Sequence, residues 1–367
     1  MRIYPAVLLF SQANTEGELR AIVEMKYKLY IEVPDSGYAL QDTATIKYKL
    51  TGKDKEGRAW LTSLKLPVTD GSKYLLQILL RDTQRGTLGF KQMILDKSSP
   101  LTAQNYKVIS AYSGYPKFMN FLLPGERFYL QYRDEKYDTV YIDYYKANNE
   151  LPRPPLNSMA EYHLKASPDT TLIFPLSDTT VFTLELTGMY RFRIDPEDDN
   201  GITLFNFGST FPNTKTPDDL FGPLFYITTL TEYHDLRSQQ NRKLGVDDFW
   251  LRCGNSIDRS RELIRVYYNR VLYANLYFSG DREGWKTDRG MMFILLGPPD
   301  RVNIKNSNEV WYYNSRKKGK IIELVFKLEQ SDFCDGDYIW KRSPEGWSIW
   351  NEAVQSWRNG KVFTLSD

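Results

Sequence analysis

Thr287, Asp288 and Arg289 are three consecutive side chains with chemistry of their own, inside the segment Gly-Trp-Lys-Thr-Asp-Arg-Gly at residues 284–290. A carboxylate beside a hydroxyl and a guanidinium can hold a polar ligand at the mouth of a pocket. The same side chains can instead satisfy backbone donors in a tight turn, with Trp285 as a large apolar anchor. The segment therefore predicts either a structural anchor, which we favour, or a binding site.

Three further candidates lie downstream of this segment. Asp300 ends the turn Gly-Pro-Pro-Asp, and Trp311 and Tyr313 belong to the run Val-Trp-Tyr-Tyr. The predicted binding residues are thus Trp285, Thr287, Asp288, Arg289, Asp300, Trp311 and Tyr313. Glycoside cleavage would need two carboxylates at a defined separation. With 46 acidic residues in the chain, the sequence selects no pair.

Histidine and cysteine chemistry has little support in this sequence. His163 and His234 are far apart, and neither a metal-binding His-Glu-x-x-His helix nor a Gly-x-Ser-x-Gly elbow is present. His234 falls near a predicted helix end, where a role at the helix dipole suffices. Cys253 has no nearby histidine to activate it, and with Cys334 it forms either one disulfide or two buried thiols. We therefore predict no catalytic residue, no metal and no cofactor.

Charge and hydropathy exclude other classes of partner. The net charge is +2, so no strong field attracts nucleic acid, and the basic run at residues 316–320 is expected to be a solvated hairpin tip. Asp332, Asp335 and Asp337 lack the spacing of a calcium loop and indicate a solvated turn. No apolar run approaches the ~20 residues that cross a bilayer.

Short alternating segments separated by turns dominate the first 210 residues. Residues 19–33 alternate apolar and polar side chains, as a half-buried strand does. Residues 60–66 and 181–186 are read as further strands. Turn signals recur every 8–12 residues, a spacing typical of antiparallel sandwiches. The pattern predicts two tandem antiparallel β-sandwiches, an immunoglobulin- or fibronectin-like one over residues 1–98 and a second over residues 99–210.

Helical signals begin after residue 211. Thr216, followed by Pro217 and two acids, predicts a helix start, and apolar spacing extends that helix to about Leu236. Asn255 or Ser256 is expected to cap a longer helix that ends near Phe278. A C-terminal helix carries an aromatic stripe, which is expected to dock on the chain's own core rather than to bind a partner or glycan; its members are Trp347, Trp350, Val354 and Trp357. Residues 211–367 are therefore predicted to form an α+β domain.

Several short motifs carry a family resemblance in a fixed order. They are Phe249-Trp250, the run Tyr267-Tyr268 with Arg270, Val271, Ala274 and Asn275, the Gly284–Asp288 segment, Val310–Tyr313 and Gly336–Tyr338. Over about residues 216–340 the chain resembles the GWxTD-domain family, and residues 293–296 are interpreted as the strand after the motif. The resemblance implies an exported, multidomain bacterial protein, and it carries no catalytic residue with it.

Two functions follow as hypotheses. The first is a non-catalytic binding or scaffolding protein of the bacterial cell envelope, periplasmic or associated with the outer membrane, with another envelope protein as its partner. The second is a glycan-binding module or hydrolase, with its site around Asp288, Arg289 and nearby aromatic residues. A deep pocket with convergent carboxylates would favour the second, whereas an open sheet edge would favour the first.

Overall fold

The fold is mainly β, with several antiparallel sheets followed by a helical region in the last third of the chain. The computed structural model describes residues 2–3, 5, 8–12, 18–34, 36–56, 60–134, 136–147, 167–305, 308–315, 319–329, 331, 333–334 and 336–365. The predictions on His163, Asp332, Asp335 and residues 316–318 lie outside the described residues.

The N-terminal region is built on one large sheet. Its elements are β1 (Arg2–Ile3), β2 (Ser11–Gln12), β3 (Leu19–Val33), β4 (Gly37–Thr51), α1 (Gly52–Glu56), β5 (Trp60–Leu61), β6 (Lys73–Asp82) and β7 (Leu88–Asp96). Strands β4, β3, β6 and β7 are neighbours in that order, β2 also pairs with β3, and β1 pairs with β5 in a separate ladder. One face of the large sheet is buried, and its fully enclosed side chains are Ala21, Met25, Leu29, Leu50 and Tyr74.

The strand predicted at residues 60–66 is shorter than expected. It ends at Leu61, and the chain then crosses the buried face of the large sheet without strand pairing. Leu64, Leu66 and Val68 pack there against the buried cluster of Tyr27, Leu29, Tyr74 and Leu76. Residues 62–68 still alternate apolar and polar side chains, because every second one points into the core. They form no strand because no neighbouring strand offers them backbone hydrogen bonds.

The second region contains two sheets around a shared core. Its strands are β8 (Tyr106–Ser110), β9 (Phe128–Tyr132), β10 (Thr139–Lys146), β11 (Thr170–Pro175), β12 (Gly188–Arg193) and β13 (Ile202–Asn206), with a 3₁₀ turn at Ala103–Asn105. Strands β8 and β9 form one ladder, and β11, β10, β12 and β13 form the other sheet in that order. Val108 and Leu130 from the ladder share a core with Val140, Ile142 and Phe192 from the sheet.

The strand predicted at residues 181–186 is wrong. Only an isolated bridge between Phe128 and Phe182 forms there. Phe182 and Leu184 are buried in the shared core, and the Leu184 carbonyl accepts a hydrogen bond from the Asn206 side chain. The backbone group that a strand partner would use is thus satisfied by a side chain.

The C-terminal region packs helices on a four-stranded antiparallel sheet. Its elements are α2 (Pro217–Phe221), α3 (Leu230–Ser238), α4 (Arg242–Gly254), α5 (Ile257–Phe278), α6 (Asp288–Leu296), β14 (Arg301–Lys305), β15 (Asn308–Ser315), β16 (Lys320–Glu329), β17 (Asp337–Trp340) and α7 (Pro344–Arg358). The strand order is β14-β15-β16-β17. Ser256 caps α5, which ends at Phe278 as the sequence predicted.

The single helix predicted from Thr216 to Leu236 is wrong beyond its first turn. Thr216 does cap α2, through a reciprocal pair of hydrogen bonds with Asp219. The chain then tightens into a 3₁₀ turn over Gly222–Tyr226, and Thr229 caps a new helix, α3. Pro223 explains the break, because it has no N–H for an α-helical bond and crowds the preceding turn.

The strand expected at residues 293–296 is instead the end of α6. Thr287 caps this helix, and every residue from Gly290 to Leu296 is buried. An apolar run that is buried on all sides has no periodicity, so the sequence cannot separate strand from helix there.

The C-terminal helix α7 lies against the helical core. Trp357 is fully buried and Val354 nearly so, while Trp350 packs on the core and stacks on Trp347 with ring centroids 4.9 Å apart. Most of the aromatic stripe is therefore used for docking. No helix among the described residues is long and apolar enough to span a bilayer.

The second sheet also contacts the C-terminal region. Tyr145, Met189 and Phe205, on the face opposite the shared core, pack with Phe333 and Cys334. The Phe333 ring lies 5.2 Å from the ring of Tyr145. Residues on both sides of the predicted boundary at 210 thus share one small core.

Candidate functional site

The Gly284–Asp288 segment forms a tight turn between α5 and α6. Gly284–Lys286 is a single 3₁₀ turn, in which Gly284 is buried against α5. A Cβ on Gly284 would lie 1.9 Å from the Ala274 carbonyl oxygen, and one on Gly290 would lie 1.8 Å from the Gly284 carbonyl oxygen. Glycine is needed at both positions because the backbones approach too closely for any side chain.

Trp285 ties this turn to two other elements. The backbone N–H of Trp285 donates to Asn275 Oδ1 at 3.0 Å, and its backbone carbonyl accepts from the Tyr226 hydroxyl at 2.6 Å. Its ring lies against Gly222, where a Cβ would come within 3.0 Å of Cζ2. Asn275 also donates to the Pro212 carbonyl, so Trp285 and Asn275 together link α5 to the 3₁₀ turn before α3 and to the segment that precedes α2.

Thr287 and Asp288 form the N-terminus of α6. The Thr287 hydroxyl accepts from the Gly290 N–H at 3.0 Å and donates to the Gly284 carbonyl at 2.8 Å. The Asp288 carboxylate accepts from the Trp340 N–H at 2.8 Å and from the two terminal nitrogens of Arg342 at 2.5 and 3.2 Å. The helix is thereby capped at Thr287 and fastened through Asp288 to the last residue of β17 and to Arg342, two residues beyond it.

The electrostatics of Asp288 are those of a buried ion pair. Only 4% of the residue is exposed, and burial raises the pKa of its carboxyl, while Arg342 and the Trp340 N–H oppose that rise. The carboxylate also lies near the positive end of the α6 dipole. With its oxygens held by a guanidinium and a backbone amide, Asp288 has a positioning role in the fold.

Arg289 turns away from Asp288 and pairs with a residue that the sequence did not single out. Its Nη1 donates to Glu309 Oε2 at 3.2 Å, and its guanidinium lies 4.5 Å from the centroid of the Tyr338 ring. Glu309 Oε1 accepts from Trp311 Nε1 at 2.5 Å and so satisfies the N–H of an indole that is only 1% exposed. Arg289, Glu309 and Trp311 form a buried chain that joins α6 to β15.

The C-terminus of α6 is held by two further side chains. Arg270, in α5, donates to the carbonyls of Ile294 and Leu295, and also to that of Phe363. Burial lowers its pKa to about 10. The Tyr313 hydroxyl donates to the Gly297 carbonyl at 3.0 Å. These donors satisfy the carbonyls that every helix leaves unpaired at its end.

The predicted binding residues are therefore divided by the structure. Asp288 and Arg289 belong to the first turn of α6, and Thr287 caps it. Trp285, Trp311 and Tyr313 lie around this helix, and each of the six has a partner within the protein. Asp300 is exposed on the following turn, where it accepts from the Asn314 N–H at 2.6 Å. This arrangement supports the structural-anchor interpretation of the segment.

Sequence reasoning missed the partners Glu309 and Arg342. Arg270 and Asn275 belonged to the family-like pattern, so a signal for them existed, but nothing in the sequence says which backbone groups they meet. No local signal marks Arg342 as the partner of Asp288, because 54 residues separate them.

A second group of buried charges lies where α5 ends and β17 begins. Arg282 Nε donates to Asp281 Oδ1 at 3.1 Å, and its Nη2 lies 3.9 Å from Asp337 Oδ2. Burial raises the pKa of Asp281. Among the described residues, no set of three or more His, Cys, Asp or Glu side chains is arranged to hold a metal ion. Cys253 and Cys334 are free thiols.

Two depressions on the described surface are shallow and open to solvent. One, of about 720 Å³, lies between the start of α2 and the connection from α3 to α4. The other, of about 800 Å³, runs along the outer face of α7. Neither is lined by a predicted binding residue; the lining of the second is Trp347, Ser348, Asn351, Glu352, Gln355, Ser356, Asn359 and Lys361.

These features define a class of domain, in which helices pack on a small antiparallel sheet and a Gly-Trp-Lys-Thr-Asp turn fastens the central helix at its start. Residues 188–359 match the model of the GWxTD domain, so the chain contains a domain of the GWxTD family. The match begins at β12, inside the second sheet, so it extends beyond the 216–340 range over which the sequence motifs occur. No curated protein matches the chain.

Proposed function

We propose that this protein is a non-catalytic binding or scaffolding protein of the bacterial cell envelope, periplasmic or associated with the outer membrane, whose partner is another envelope protein. The observation that carries the proposal is the exposed edge strand β11. Two tandem β-sandwiches over residues 1–98 and 99–210 remain part of the proposal, as the organisation that would present such edges.

Strand β11 has the properties of a strand that accepts another strand. All six of its residues are exposed, including Leu172 at 44%, Ile173 at 64% and Phe174 at 41%. It pairs with β10 on one side, and no described strand pairs with its other side. An exposed apolar edge is a template for pairing with another chain.

The ladder geometry indicates which backbone groups face outwards. The Leu176 N–H donates to the Asp138 carbonyl. Because hydrogen-bonded pairs alternate along an antiparallel ladder, Phe174 and Leu172 are the next residues of β11 that bond to β10. By this alternation the N–H of Ile173 points to the open edge. A partner strand added there would gain main-chain hydrogen bonds, and the exposed apolar side chains would provide specificity.

The internal partners of the motif side chains also support a non-catalytic function. A nucleophile or general base must reach a substrate, whereas Asp288, Arg289 and Thr287 are bonded to protein groups and largely buried. A role in holding α6 in place accounts for all three.

The test begins with a photoreactive amino acid at position 173 in the full chain, expressed in its native cells. The captured protein is identified by mass spectrometry and purified for affinity measurements. We expect capture of one envelope protein from position 173 and none from position 107, an exposed lysine site on β8. Absence of a crosslinked envelope protein at position 173 would refute binding at the β11 edge, the observation on which the proposal rests.

Two substitutions at Ile173 separate backbone pairing from side-chain contact. Ile173→Pro removes the outward N–H, whereas Ile173→Ala keeps it and removes only the side chain. We expect Ile173→Pro to weaken the complex about tenfold and Ile173→Ala to weaken it clearly less. Equal affinities of the two variants would contradict strand addition, provided both retain the wild-type unfolding midpoint.

Glycan binding is a second candidate function, favoured by the depression on α7. An indole, Trp347, lies there among amide and hydroxyl side chains, a combination that suits a sugar ring and its hydroxyl groups. Co-sedimentation with purified peptidoglycan tests this candidate. Loss of binding in Trp347→Ala, with retention in Tyr277→Ala as an exposed aromatic control on α5, would establish it in place of the first.

A further inference from the structure

The outer face of the large N-terminal sheet, opposite its buried face, carries an ordered pattern of side chains. The register of β4, β3, β6 and β7 aligns one residue from each strand in a row across the sheet. Four such rows follow one another: Lys47, Glu24, Arg81 and Leu88; Thr45, Lys26, Leu79 and Phe90; Thr43, Lys28, Gln77 and Gln92; Leu40, Tyr30, Leu75 and Ile94. We call these sixteen residues the outer sheet face.

The outer sheet face takes no part in the hydrophobic cores of the described residues. Its apolar members are absent from every core cluster of the described residues, whereas their neighbours on the opposite face, such as Met25 and Leu76, are buried. Leu88 is 64% exposed, Leu40 54% and Phe90 49%. Apolar side chains in three of the four rows of an exposed sheet face mark a surface that packs against something else.

Lysines and apolar side chains are unevenly distributed on this face. Lys26, Lys28 and Lys47 lie on β3 and β4, and Lys49 continues the same side of β4. Glu24 is the one carboxylate within the rows, and it lies 3.6 Å from Lys47. The apolar members concentrate on β6 and β7. Arg81 is the one basic residue among the β6 and β7 members, and Tyr30 and Leu40 are the apolar members on β3 and β4, so the β3 and β4 half is the more basic and the β6 and β7 half the more apolar.

We propose that the outer sheet face docks a protein partner that presents carboxylates opposite Lys26 and Lys28 and apolar side chains opposite Leu79, Phe90 and Ile94. This inference rests on the proposed binding function and names the chemistry of a partner surface that is distinct from the β11 edge. Charge complementarity selects an acidic partner and sets its orientation on the sheet.

A protein fits this face better than a lipid bilayer does. The third row, with Thr43, Gln77 and Gln92, is polar and lies between two rows that contain apolar residues, and Gln77 donates to Gln92 at 2.9 Å. Insertion into acyl chains would bury those amides with their remaining hydrogen-bonding groups unsatisfied. A protein surface can offer matching polar groups, and sheet faces pack flat against one another.

The test uses photoreactive residues at positions 45 and 92, on the basic and apolar halves of the face, in the full chain in native cells. Mass spectrometry identifies the captured protein and the crosslinked peptide. We expect an excess of Asp and Glu over Lys and Arg around the site captured from position 45. The partner is then purified, and its affinity for the chain is measured by calorimetry.

Charge reversal provides the quantitative result. We expect Lys26→Glu with Lys28→Glu to lower the affinity about tenfold, and an increase in NaCl from about 50 to about 300 mM to weaken the wild-type complex. The matched control is Lys107→Glu with Lys146→Glu on the second region, where both lysines are exposed. If charge reversal unfolds the chain, Lys26→Ala with Lys28→Ala replaces it, and we expect this milder change to lower the affinity as well.

Three results would overturn the proposal. The first is capture of a protein from position 173 but none from positions 45 and 92, which leaves the β11 edge as the binding surface. The second is a basic rather than acidic crosslinked peptide. The third is co-sedimentation with phosphatidylglycerol vesicles that Lys26→Glu with Lys28→Glu abolishes, without any protein crosslink from this face. Failure at position 173 as well would refute the proposed function itself.

Discussion

Gly284 and Gly290 set the distance between the motif turn, α5 and α6. Each lies where a Cβ would be less than 2 Å from a carbonyl oxygen, at 1.9 Å for Gly284 and 1.8 Å for Gly290. Backbone atoms cannot rotate away as a side chain can, so any substitution must move an entire helix. Glycine occurs at these two positions of the motif because the neighbouring backbone leaves no space for a side chain.

Gly284→Ala is therefore expected to destabilise the protein by about 3 kcal/mol, the upper part of the range for forced insertion of a methyl group. The measurement is the free energy of unfolding from urea titration. Gly89→Ala is the control, because its Cβ would lie 3.9 Å from the nearest atom. We expect a change within about 0.5 kcal/mol there, and equal effects at the two glycines would contradict the steric argument.

Asp288 stabilises the fold by pairing its negative charge with the Arg342 guanidinium. Asp288→Asn preserves the shape but leaves a guanidinium with 14% side-chain exposure beside a neutral amide. We expect a loss of about 3 kcal/mol in the free energy of unfolding, as for other buried pairs with one partner removed. Asp300→Asn, at an exposed carboxylate, should cost less than about 1 kcal/mol, and a similar loss at both sites would exclude a special role for the Asp288 pair.

At the scale of elements, one ion pair joins α3 to α7. Arg358 donates to both Glu232 carboxylate oxygens, at 2.9 and 2.8 Å, and also to the Ile227 carbonyl. This hydrogen bonding lowers the pKa of Glu232 to about 2. Glu232 also completes the cap of α3 by accepting from the Thr229 N–H, so a single carboxylate serves both a helix start and a helix–helix contact.

The sign of the resulting pH dependence follows from the lowered pKa. The folded state holds Glu232 deprotonated, so its contribution is complete above the ordinary pKa of about 4.5 and is lost as the pH falls towards 2. Since 38% of the side chain is exposed, we expect a contribution of less than about 1 kcal/mol. Unfolding midpoints of the wild type and Glu232→Gln should differ at pH 6 and converge near pH 2; a difference that grows with acidity would contradict this.

At the scale of the whole molecule, Phe333 joins the second sheet to the C-terminal region. Its ring packs on Tyr145, and the Arg191 guanidinium lies 4.2 Å from its centroid. Cys334 lies in the same small core, and burial raises its pKa to about 11. Because the family match begins at β12, this contact joins a strand of the matched domain to the loop before β17.

Phe333→Ala is expected to open this contact and expose Cys334. We expect its alkylation by iodoacetamide at pH 8 to accelerate about tenfold, because both access and thiolate formation increase. Cys253, whose pKa burial also raises to about 11, is an internal control in the helical core. Equal acceleration at both thiols would indicate global unfolding rather than opening of this contact.

Local signals in the sequence predicted some elements well and others poorly. The cap at Ser256 and the end of α5 at Phe278 were predicted because capping and apolar spacing are local properties. The strand expected at residues 293–296 failed because complete burial erases periodicity. Residues 181–186 failed because strand pairing depends on a neighbour, and there the Asn206 side chain takes a carbonyl that a strand would have used.

The sequence by itself determined the domain family, the β-rich first part, the helical last part and the importance of the Gly284–Asp288 segment, since each depends on residue types at short spacing. The tertiary structure alone decided that Asp288 meets Arg342 and that Arg289 meets Glu309. It also decided that the outer face of the N-terminal sheet and the β11 edge of the second region are exposed. These features join residues far apart in the chain or depend on what does not cover a surface. Local sequence patterns cannot encode either, because both are properties of how whole elements pack.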